Sequence, residues 1–172
     1  MARTIVVKRG AVRIAEIGVV AAAYAALTVL LAPASYGPLQ FRLAESLKPL
    51  VIWEPHLIPA FVLGNFLSNL PSPFVGPWEL VWMPCANLVG AWACWRIGRI
   101  NAYLGAGVYA LIIGGAVATM LSVLLRAPFR VLFPSITASE VILLVLGVPV
   151  MYPVHLALLR LTGDRPGASA AR

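Results

Sequence analysis

Arg42 and Glu45 stand three residues apart in a stretch whose surroundings are strongly apolar. That spacing puts both on one face of a helix. A charge brought into such surroundings costs several kcal/mol unless it is paired or used. The pair therefore has two natural roles: mutual neutralisation, or contact with a polar ligand. Glu79 and Glu140 repeat the theme, each near the start of a further apolar run. Threading the runs through a bilayer brings Tyr36, Gln40, Asn69 and Trp78 to the same side, with Asn65, Asn87, Phe41 and Trp82 nearby. Aromatic walls with a few converging polar groups suit a small, flat, polar molecule. Tyr36, Gln40, Arg42, Glu45, Asn69, Trp78, Glu79 and Glu140 are thus the candidate substrate-binding residues.

Catalytic signatures are missing. The chain has no Gly-rich phosphate loop followed by Lys-Ser/Thr, no HExxH, no CxxC and no G-x-S-x-G. Cys85 and Cys94 lack metal-ligand spacing with His56 or His155 and read as inert thiols. The expectation is a binder or carrier with no catalytic residue, no metal and no cofactor.

The elements that position these residues are set by composition. Of the 172 residues, 61% are hydrophobic and only 11% charged, and mean hydropathy is +0.92. A soluble domain carries roughly 25% charged residues, so the solvent is lipid. The net charge of +7 then reflects membrane-flanking basic residues rather than a nucleic-acid surface. The first apolar run is too long for a signal-peptide core and suits a span of about 20 residues. The reading is an all-α integral membrane protein of about six transmembrane helices. They are expected near 12–32, 41–52, 57–70, 78–95, 102–125 and 138–161, in a single membrane domain 1–161. The tail 162–172 is small and polar and is expected to be a disordered cytoplasmic segment. The two short segments after the first helix, broken at Trp53-Glu54-Pro55-His56, point to a binding cavity.

Orientation follows from the 13 basic residues. With the N-terminus cytoplasmic, only Arg42, Arg126 and Arg130 fall outside, and the rest, Lys48 included, fall inside. The positive-inside rule then places both termini in the cytoplasm of a multi-pass plasma (inner) membrane protein. Small residues recur every four positions from Ala102 to Ser122, and at Gly18, Ala22 and Ala26 of the first run. Such ribbons let helix backbones approach closely in lipid. The first is expected to pack internally; the second could face a partner chain.

One stretch carries a specific resemblance. Leu27-Thr28-Val29-Leu30-Leu31-Ala32-Pro33-Ala34-Ser35-Tyr36-Gly37-Pro38-Leu39-Gln40-Phe41-Arg42-Leu43-Ala44-Glu45-Ser46-Leu47 resembles the signature of the queuosine-precursor transporter (QueT) family. Ile58-Pro59-Ala60-Phe61-Val62-Leu63-Gly64-Asn65, Leu67-Ser68-Asn69-Leu70, Glu140-Val141-Ile142 and Leu146-Gly147-Val148-Pro149 are similar to later parts of it. Members are substrate-binding S components of energy-coupling-factor (ECF) transporters. The resemblance implies an S-component-like bundle that captures a 7-deazaguanine such as preQ1 or preQ0. It also implies delivery through a transmembrane T component and two ABC-type ATPases, docked on the first-helix face of Gly18, Ala22 and Ala26. On such a ligand a carboxylate could accept both donors of one edge. Glu79 or Glu140 is expected to do this, with a Glu45–Arg42 pair holding the loop 35–40. Two alternatives stay open: an S component for another small vitamin-like substrate, and a stand-alone secondary transporter.

Overall fold

The structure is a computed structural model that describes residues 2–36 and 41–162; of 2–9 and 161–162 it describes the backbone alone. Gln40 and the tail beyond Thr162 lie outside the described residues. Helix α1 (Ala2–Leu30) leads into a one-turn helix α2 (Ala32–Ser35). A 3-10 helix (Leu43–Ile52) and a shorter one (Pro55–Leu57) precede α3 (Ile58–Asn69). A π turn (Trp78–Trp82) runs directly into α4 (Met83–Gly98). Helices α5 (Ala102–Leu125) and α6 (Phe129–Thr162) complete the chain. No strand occurs among the described residues. The fold is an all-α membrane bundle, as the composition requires. Three helical stretches are long and apolar enough to cross a membrane: Gly10–Leu30, Ala102–Leu125 and Phe129–Arg160.

Three elements differ from the sequence expectation, the first being α1, which begins at Ala2 rather than near 12. Helix α6 begins at Phe129 rather than near 138 and continues through Pro134, Pro149 and Pro153. Prolines inside a membrane helix are tolerated where neighbouring groups re-satisfy the freed carbonyls. Ser135 and Ser139 sit there, with hydroxyls donating to carbonyls of the preceding turn. The segment after the loop is a ten-residue 3-10 helix containing Pro49, where an α-helix was expected. Three residues per turn stack every third side chain in one column. Arg42, at its N-terminal boundary, therefore lies above Glu45 and Lys48.

Packing follows the small residues. Helix α5 lies against α4 and α6, the 3-10 helix against α6, and α1 against α3. Ala106, Ala110 and Ala118 are fully buried. A Cβ on Gly114 would come within 2.3 Å of the Thr137 hydroxyl. The fifth-run ribbon is therefore an internal seam. On α1 the buried column is Ala21, Tyr24 and Thr28, whereas Gly18, Ala22 and Ala26 are exposed. An added Cβ on Gly18 would meet nothing within 4 Å.

The end near the α1 N-terminus is tied by ionisable groups. His56 Nε2 meets Glu16 Oε2 at 2.7 Å, and its Nδ1 lies 3.4 Å from Glu54 Oε2. Glu54 Oε1 bonds His155 Nδ1 at 2.7 Å, while Trp53 stacks on that imidazole. One carboxylate thus links α1, the turn before α3 and α6.

Candidate ligand-binding site

The opposite end of the bundle holds a buried polar layer. It starts from the 3-10 column, where Arg42, Glu45 and Lys48 are 3%, 1% and 0% exposed. Asn65, Ser68 and Asn69 come from α3, Glu79 from the π turn, Asn87 from α4 and Glu140 from α6, and all are buried. Tyr24 of α1 and Tyr109 of α5 close its sides.

The pairing differs from the expected one. Arg42 is ion-paired with Glu79 (Nη2 to Oε1, 3.7 Å), and Glu45 also acts on it electrostatically. Its Nη1 donates to Asn69 Oδ1 at 3.1 Å and its Nε to the Ser35 carbonyl at 3.2 Å. Asn69 Nδ2 in turn donates to the Glu79 carbonyl at 3.0 Å. Glu45 binds instead to Lys48, one 3-10 turn further on, and accepts from the Tyr24 hydroxyl at 2.5 Å. Lys48 is therefore not an inner-loop residue. Its ammonium lies between the rings of Tyr24 and Tyr109, 5.5 and 4.9 Å from their centroids. Charge pairing across the 3-10 turn explains the exchange, because the column aligns 45 with 48 as closely as with 42.

Not every polar atom is matched. Glu140 Oε2, Asn65 Nδ2, Ser35 Oγ and Thr137 Oγ1 are buried without a hydrogen-bond partner among the described residues. Both Glu79 carboxylate oxygens also lack a hydrogen bond among the described residues, although one is ion-paired to Arg42. Glu140 lies in the electrostatic field of Glu45, Lys48 and Arg42. The layer thus sets two cations against three carboxyls. Buried polar groups are normally bonded, and an orphan calls for an explanation. A ligand that brings donors, or a positive charge, answers this one.

Tyr36 spans the layer and the surface. Its ring sits 5.4 Å from the Arg42 guanidinium carbon, and its hydroxyl donates to the Ser68 carbonyl. The same residue lines an apolar groove of about 340 Å³ with Val29, Ala32, Pro33, Pro71 and Pro73. The other aromatic candidates are less central. Trp78 is half-buried and edge-on to Trp82, 5.8 Å between ring centroids. The Trp82 indole is committed to the Ala116 carbonyl at 3.1 Å, and Phe41 is exposed. Asn87 bonds the Tyr109 hydroxyl at 3.1 Å and so braces a wall. Gln40 falls outside the described residues. No group of three or more His, Cys, Asp or Glu among the described residues is placed to hold a metal ion.

Sequence reasoning missed Lys48, Tyr24 and Tyr109. The available signal was the recurrence of charge at 42, 45 and 48, a period of three. With the layer described, the comparison with known families can be set beside it. The family model described as QueT transporter matches residues 14–155. The chain belongs to the QueT transporter family. The matched span runs from α1 to His155, so it takes in every residue of the buried layer. No curated protein and no solved structure gives a match.

Proposed function

We propose that this QueT-family chain is the substrate-binding S component of an ECF-type importer. It captures a 7-deazaguanine queuosine precursor, preQ1 or preQ0, and delivers it with a T component and two ABC-type ATPases. The observation that carries this reading is the buried layer itself: three carboxyls, two cations and several polar atoms without partners. A deazaguanine presents two parallel donors on one edge, which suit a carboxylate. Glu79 is held by Arg42, so Glu140 is the better reader. An aminomethyl arm would add the cation that balances the third carboxyl. The chain carries no phosphate-binding loop of its own, so energy must come from partner ATPases or from an ion gradient.

Reconstitution decides between those sources. Vesicles containing the chain, a T component and the ATPases are expected to accumulate precursor only with ATP. Uptake by the chain alone, driven by an ion gradient, would make it a secondary transporter instead. Uptake of a vitamin in place of the precursor would reassign the substrate.

The docking face follows from exposure. Gly18, Ala22 and Ala26 form a small-residue stripe that is exposed among the described residues. Small residues let helices approach closely in lipid, where dispersion contacts hold them. Ala22→Trp is expected to reduce coupled transport about tenfold or more while ligand binding to the isolated chain persists. Loss of binding and folding together would instead mark an internal contact.

Orientation is proposed on charge. With Arg42 and Lys48 buried, Arg126 and Arg130 are the only basic residues left at the layer's end of the threading. The positive-inside rule then places both termini in the cytoplasm of a multi-pass plasma (inner) membrane protein. Reporter fusions after Arg172 and within 71–77 are expected to report opposite sides. The same side for both would reject this threading.

A further inference from the structure

We propose that Lys48 is a specificity-determining residue: with Glu140 it reads a lactam edge, a ring carbonyl beside a ring N–H. This rests on the proposed capture of a deazaguanine and names the part of the ligand each residue recognises. Lys48 is fully buried. An ammonium carries three donors, and among the described residues only Glu45 is ion-paired with it. Its remaining directions meet the faces of Tyr24 and Tyr109, at 5.5 and 4.9 Å to the ring centroids. Ring faces attract a cation but accept no conventional hydrogen bond. Apart from the Glu45 carboxylate, the nitrogen meets no hydrogen-bond acceptor among the described residues.

Glu140 offers the complement. Its Oε2 is buried without a donor among the described residues, while Lys48 and Glu45 act on the carboxyl electrostatically and Glu45 also meets it through a side-chain hydrogen bond. A buried ammonium with donors left over from Glu45 and a Glu140 oxygen without a donor together match a ligand edge that places an acceptor next to a donor. A lactam does so: its oxygen accepts from Lys48 and its N–H donates to Glu140. An amidine edge, with an amine in place of the carbonyl and a bare ring nitrogen, reverses both. It would set donor against donor and lone pair against carboxylate.

The test compares 7-deazaguanine with 2,6-diamino-7-deazapurine, in which the lactam becomes an amidine. Calorimetric titration of wild-type protein in detergent is expected to show the diamino compound binding roughly a hundredfold more weakly or worse. The double variant Lys48→Met/Glu45→Gln removes the ion pair without leaving a lone buried charge. Its preference is expected to fall by about tenfold or more. Equal binding of both compounds to wild type would overturn the proposal, as would full preference in a folded double variant. A second measurement needs no variant. The isotope-edited infrared band of the bound ligand's carbonyl is expected below its frequency in water, because an ammonium bond in low dielectric is the stronger one. A band at or above the aqueous position would overturn the assignment. If folded wild type binds neither compound, the deazaguanine reading itself falls, and the lactam assignment falls with it.

Discussion

Arg42→Ala is expected to lower the unfolding free energy by about 3–5 kcal/mol, the cost of leaving a buried charge without its partner. The guanidinium is ion-paired with Glu79 and hydrogen-bonded to Asn69 and to the Ser35 carbonyl, and its charge lies near the Tyr36 ring. Its removal strands a fully buried carboxylate whose oxygens have no hydrogen bond among the described residues. It also removes one of the ties between α2 and α3, because Ser35 and Asn69 are joined through Arg42, and leaves the Tyr36 hydroxyl on the Ser68 carbonyl. Unfolding in detergent, followed by circular dichroism against denaturant, measures the loss. Adding Glu79→Gln removes the stranded charge, so the double variant is expected to recover part of it. A single-variant cost below about 1 kcal/mol, the scale of a surface pair, would show that Arg42 is not what holds Glu79.

Glu140→Gln is expected to act in the opposite way, on binding rather than on stability. Its Oε2 has no partner among the described residues, so the amide disrupts little beyond the contact with Glu45. In the complex, the change leaves one acceptor and turns a donor toward the ligand's donors. A hydrogen bond to a charged group contributes about 1.5–3 kcal/mol, so affinity is expected to weaken roughly tenfold to a hundredfold. Calorimetry with a deazaguanine precursor reads this directly. Unchanged affinity in a folded Glu140→Gln protein would move the reading carboxylate elsewhere, and Glu79→Gln would then be the next comparison.

These two residues also show what was legible in the chain. That Arg42, Glu45, Asn69, Glu79 and Glu140 belong to one layer could be read from their rarity in an apolar sequence. Charge at membrane depth is retained for a reason. Which carboxylate pairs with which cation could not be read, because it depends on the 3-10 helix. In an α-helix Arg42 faces Glu45 while Lys48 rotates away. With three residues per turn all three align, and Glu45 goes to Lys48. Composition does not reveal that winding; the local signs of it are charge at every third position from Arg42 to Lys48 and Pro49 inside Leu43–Ile52. Positive charge misled as well. Lys48 counted among the inner-side basic residues, yet it is buried between two tyrosine rings. The α5 seam was legible because small residues at every fourth position have one geometric consequence, a close helix approach. The start of α6 was not, because Pro134 reads as a boundary and is instead carried inside the helix.

The most direct test of the central claim is equilibrium binding by the purified chain, without T component, ATPases or ATP. Titrating a 7-deazaguanine precursor into folded detergent-solubilised protein is expected to give saturable one-to-one binding, weakened by Glu140→Gln. A folded wild-type protein that takes up no deazaguanine would contradict the account.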